Sequence, residues 1–152
     1  MSLSLLQVQS LEGVISTETR SSDLLSEAGG VITGNRADVA SREGRLQEAI
    51  ALFTEARRRL ESLGAESHVA RLVVETAEAL EVAGLHQEAR AELEAGLERV
   101  IAVDMPHESA RARLALGRLH IREGRFHQAV ERFEEARALY ESIDNRRLAD
   151  RC

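Results

Sequence analysis

Glycine returns at a fixed interval in this chain, with Gly44, Gly84 and Gly124 standing 40 residues apart. Each is followed five residues later by alanine (Ala49, Ala89, Ala129), and four beyond that by Phe53, Leu93 and Phe133. Three further on come Ala56, Gly96 and Ala136. Segments 43–63 and 123–143 are identical at ten positions, among them Glu43, Arg45, Glu55, Arg57, Glu61 and Ser62. A beat of small, large and small residues at constant period means that one supersecondary unit is repeated. A unit too small to bury its own apolar face must stack on its neighbours.

The unit reads as two helices. From Gln47 to about Leu63, the apolar or small residues Ala49, Ile50, Phe53, Ala56, Leu60 and Leu63 recur at spacings of three and four, which places them on one helical face. We term this helix B. Gly64 fits a left-handed helix end, and a second run begins near Glu66 with Val69, Val73, Ala77 and Leu80 on its buried stripe. This is helix A of the following unit, and Ala83, Gly84 and Leu85 reverse the chain into the next helix B. Asp104 is expected to cap the third helix A, with Pro106 in its first turn. The fold class is therefore all-α, an α-α superhelix: a right-handed solenoid of antiparallel helix hairpins. Composition agrees, because Ala, Leu, Glu and Arg dominate while aromatics are 3% and there is one proline.

The register divides the chain into an N-terminal helical cap or extension (1–28), three repeats (29–64, 65–104 and 105–144) and a tail (145–152). In the first segment Leu5, Val8, Leu11 and Ile15 form a helical stripe, and Gly29 with Gly30 is expected to end it. Capping the open end of the array is preferred there over an independent partner-binding or dimerisation helix. The tail reads as the first turn of a fourth helix A, cut short, or as a stub cap. An uncapped terminal pair leaves an apolar face that a second copy could cover, so homo-oligomers are open.

Leu116, Gly117, His120, Gly124, Phe126, Ala129, Phe133 and Ala136 together resemble the tetratricopeptide pattern of Leu-Gly, aromatic, Gly, aromatic, Ala, aromatic, Ala. The period of 40 exceeds the common ~34 residues, which is similar to the long-helix variety found in kinesin light chains and in many bacterial regulators. The resemblance implies a non-catalytic scaffold that holds a peptide or partner protein in a concave groove lined by helices A; a cytoplasmic location is expected separately, from the single cysteine and the lack of a basic, apolar signal-like start. The alternative it implies is a sensor or regulatory segment of a larger bacterial signalling protein or transcription regulator. A fragment of an enzyme with its catalytic part elsewhere is the third reading.

Carried over position by position, the groove receives Asp38 and Arg42 from the first repeat. Arg71, Val74, Glu78 and Val82 come from the second, and Arg111, Leu114, Arg118, Ile121 and Arg122 from the third. Three arginines on one inner face suit a carboxylate or an acidic peptide segment. Equally open is the reading in which they pair with Glu75, Glu78 and Glu81 of the neighbouring helix and bind nothing.

Other chemistry finds no foothold. The charge of −6, from 20 basic and 26 acidic residues, opposes general attraction to nucleic acid or an anionic membrane. Gly29 to Asn35 superficially resembles a phosphate loop but lacks its Lys and Ser or Thr. His68, His86, His107, His120 and His127 form no pair at ligand spacing, and His86 and His120 occupy aromatic positions of the repeat. Cys152 is the only cysteine, so no internal disulfide or thiolate cluster forms. We therefore expect no catalytic residues, no metal and no cofactor.

Overall fold

The computed structural model describes residues 4–150; Cys152 lies outside the described residues, as do the side chains of Val8 and Ile15. Six helices follow in order: α1 (Leu5–Arg42), α2 (Leu46–Ser62), α3 (Glu66–Val82), α4 (His86–Ala102), α5 (Pro106–Arg122) and α6 (Phe126–Ala149). No strand occurs among the described residues. The four inner helices are each 17 residues long, so helix plus three-residue link repeats every 20 residues and a hairpin every 40.

The links explain the beat. Gly44, Gly84 and Gly124 take φ of +78°, +80° and +73° between the helices of each hairpin, and Gly64 takes +67° between hairpins. That left-handed backbone is costly for a residue with a Cβ and nearly free for glycine. Asp104 occupies the fifth such position at φ +52°. It is thus the turn residue and not the helix cap expected of it: the N-cap of α5 is Met105, with no side-chain cap bond, while Pro106 does open the helix.

Consecutive helices pack as neighbours throughout, and the backbone of α3 also approaches those of α1 and α5, whereas α2 and α4 meet only through side chains. The odd helices therefore form the inner layer of a curved stack and the even helices the outer layer, as an α-α superhelical repeat requires. The core is continuous through the stack. One cluster joins Ala49, Phe53, Ala56 and Leu60 of α2 to Val69, Leu72 and Val73 of α3. A second joins Ala70, Val74 and Ala77 to Leu93 and Val100 of α4 and to Ala112, Leu116 and Leu119 of α5. Ile50 packs against both clusters.

The ends depart from the sequence reading. No helix break occurs at Gly29 and Gly30, and α1 runs unbroken for 38 residues from a capping box in which Ser4 and Gln7 bond reciprocally. The second glycine serves close packing instead: a Cβ on Gly30 would stand 2.8 Å from Leu60 Cγ. Every side chain described between residues 5 and 26 is exposed. This stretch extends the helix past the hairpin and does not fold back over the end of the array. At the other terminus α6 continues to Ala149 without a turn near Asn145. Pro106 forces the break after α4, and the equivalent position after α6 is Arg146, a good helix former.

Candidate functional site

The inner layer is where the sequence placed a groove, and its charges are laced across repeats. Arg111 of α5 pairs with Glu78 of α3. Arg118 grips Glu81 with two hydrogen bonds, Nε to Oε1 at 3.0 Å and Nη2 to Oε2 at 2.6 Å. The Glu81 carboxylate is 8% exposed, so this planar fork is its replacement for water. Two of the three inner arginines of α5 are thus committed to the neighbouring helix, as the ion-pair alternative anticipated. Arg122 is exposed and makes no ion pair among the described residues.

A second chain of polar contacts ties α3 to α1. Arg71 Nη2 donates to His68 Nδ1 at 3.0 Å, and His68 Nε2 lies 3.2 Å from Glu27 Oε1. An arginine cannot accept, so Nδ1 is the acceptor and the remaining ring proton on Nε2 points to the carboxylate. His68 and Arg71 border a narrow cleft whose other walls are Val31, Gly34, Asn35, Leu60, Leu72 and Glu75.

The other carried-over positions scatter. Arg42 is highly exposed and paired with Asp38 at 3.0 Å. Leu114 is half-buried, while Val82 and Ile121 are exposed. Val74, expected to line the groove, is fully buried in the core beside Ala70, Ala77 and Leu116 and offers nothing to a partner. It belongs to the middle hairpin, covered from both sides, and so loses the exposure its register implies.

The sequence offered Glu75 only as an ion-pair partner of the α5 arginines, and it is the assembled array that removes it from water. Burial pushes its carboxyl above the ordinary glutamate range, opposed by Arg111 and then Arg71 and reinforced by Asp38 and Glu78. A carboxyl raised in the folded state favours folding while protonated. That contribution is present below the unfolded value of about 4.3 and is lost as pH rises through the raised folded value. Glu75→Gln is therefore expected to be more stable than the parent at neutral pH and to lose less stability between pH 4 and 7. Denaturant midpoints across that range check this, and a variant weaker than the parent at neutral pH would count against it.

The outer layer carries its own ladder: Arg57 of α2 holds Glu92 of α4 at 2.8 and 3.0 Å, and Arg99 of α4 reaches Glu61 of α2 at 3.2 Å. Near the α4–α5 joint, the Nδ1 atoms of His86 and His120 are buried without a hydrogen-bond partner. His120 is held toward its neutral form by burial and by Arg90, Arg125 and Arg132. Among the described residues no three His, Cys, Asp or Glu side chains converge as a metal set. No described helix is long and apolar enough to cross a membrane.

No curated protein matches the chain. Residues 69–142 match the family model described as tetratricopeptide repeat, a stretch that starts in α3 and ends in α6. Repeats of this family generally mediate protein–protein interaction and are typically non-catalytic. The hairpins of α3 to α6, stacked at a 40-residue period with glycine at the turn inside each hairpin, are the stretch for which the match supports a tetratricopeptide repeat family.

Proposed function

We propose that the chain is a scaffold that takes an extended or helical peptide segment of a partner protein along its inner layer, with residues 29–64, 65–104 and 105–144 as its three repeats. The observation that carries this reading is the pair of water-facing apolar side chains on helices A, Val82 and Ile121, with Arg122, which has no ion pair among the described residues, next to Ile121. Apolar side chains set among charged groups are the anchors that a peptide with one apolar face and a few carboxylates would use. The charge pattern also bears on the occupant. Arg111 and Arg118 are already neutralised by Glu78 and Glu81, which argues against a purely acidic ligand and for one read mainly by its apolar positions.

Substituting Val82→Glu together with Ile121→Glu tests this, because both sites are exposed and the fold should tolerate the change. Partner recovery on immobilised protein should fall about ten-fold or more, corresponding to ~1.4 kcal/mol. Arg58→Glu on the outer layer, also exposed, should leave recovery unchanged. Equal recovery by the parent and the inner-layer variant would remove the groove reading.

A further inference from the structure

The two ends of the array are the two halves of an interface that the chain already makes twice internally. In the second and third repeats, the faces that meet the preceding hairpin hold Leu72 and Ala79, then Ala112 and Leu119, none more than 4% exposed. The same register positions in the first repeat are Ile32 and Val39, which are 59% and 50% exposed. They line an open groove of about 370 Å³ between α1 and α2, with Leu52 on its floor and Arg36, Arg45 and Glu48 at its edges.

The opposite end carries the complementary half. Position 50 of the repeat faces the next hairpin: Ile50 bridges both core clusters, and forty residues on Arg90 reaches Glu123, the C-cap of α5. Its third occurrence, Val130 on α6, is 51% exposed. Phe133 is only half-buried where Phe53 and Leu93 are fully buried. So α6 presents outward the surface with which α2 and α4 cover their successors.

We infer that a second copy of this chain is the occupant, its α6 seated in the α1–α2 groove so that the array continues from one molecule into the next. Charge supports the pairing. The internal contact between Glu61 and Arg99, moved to the junction by the same register, becomes Glu141 of one copy against Arg59 of the other. Both side chains are exposed in the single chain, each held only by a partner one turn away on its own helix, Glu55 and Arg137 respectively. Helix lengths agree as well. Only α1 and α6 exceed 17 residues. Antiparallel stacking runs their extensions alongside each other, with Arg146 and Arg147 at the level of Asp23. The contact joins two different surfaces, so it does not close into a symmetric pair and can propagate.

The test is sedimentation velocity or light scattering from low micromolar to near-millimolar concentration. The parent mass should rise with concentration past twice the 16.8 kDa of one chain. Val39→Glu, which blocks the groove, and Val130→Glu, which blocks α6, should each stay at one chain, with unchanged circular dichroism because both sites are exposed. An equimolar mixture of the two retains one good groove and one good α6, and should form a pair that grows no further. Arg59→Glu and Glu141→Arg should each weaken association, and the two together in one chain should restore it. A parent that stays at one chain throughout overturns the inference. So does a pair that persists in Val130→Glu, since that is the mark of two α1 faces meeting each other, and so does a mixture that fails to pair.

Discussion

Phe53→Ala is expected to cost about 3–5 kcal/mol, the range for emptying a fully enclosed aromatic site. Phe53 is 1% exposed and lies between the α2 residues Ala49, Ala56 and Leu60 and the α3 residues Val69, Leu72 and Val73. Those neighbours are fixed by two helices each and cannot collapse into the space. Against the ~5–15 kcal/mol that holds an ordinary domain together, the loss is a large share. It should lower the thermal midpoint by about 10 °C for a chain of this size. Phe133→Ala supplies the comparison, because it is the same residue at the same register but only half-buried. Its expected cost is about 2 kcal/mol, nearer the transfer of a partly covered side chain. Urea midpoints measured at low protein concentration separate the two. Equal losses would mean that the outer face of α6 is as well covered in solution as the interior of the array.

The difference between those two phenylalanines shows where sequence reasoning reaches and where it stops. The period, the inner helices, the left-handed end at Gly64 and the chain reversal at Gly84 follow from spacing and residue type, because a repeat states the same local problem several times. Gly29 and Gly30 were misread because a glycine pair breaks helices by local preference, whereas here Gly30 admits the Leu60 side chain between α1 and α2. Asp104 was misread for the converse reason. Its side chain suits a cap, but it stands at the 20-residue spacing of the glycine turns, and its backbone takes their left-handed region.

The candidate groove was legible as a set of register positions and illegible as a set of free side chains. Val74 and Leu114 occupy the same place in successive repeats, yet Val74 is sealed by α5, while Leu114, over which no further helix A packs among the described residues, is half-buried. Arg118 and Arg122 lie one turn apart on α5, yet only Arg118 finds a carboxylate across the joint. Which member of a periodic set remains available depends on what the adjacent hairpin presents, and that information is spread over residues nearly forty positions away.

Gly117→Val is expected to cost about 2 kcal/mol, through the closeness of α5 and α6. A Cβ built on Gly117 would stand 2.8 Å from Phe133 Cδ1 and from its Cζ, nearer than packed carbon atoms approach. Relief requires either the ring to leave its site or the two helices to separate, and overpacking of this kind costs about 1–3 kcal/mol. Losing a helical glycine works the other way, but valine recovers only a few tenths of the ~1 kcal/mol that alanine would gain. The steric effect therefore prevails. Gly13→Ala isolates the propensity effect, since nothing lies within 4 Å of that position, and should be neutral or slightly stabilising. The decisive comparison is Gly117→Val combined with Phe133→Leu. A flexible, smaller side chain gives way where the ring does not, so the double variant should lose about 1 kcal/mol less than the sum of the singles. Additive losses would place the damage elsewhere than at the contact between Gly117 and Phe133, and the close approach of α5 and α6 would have to be given up.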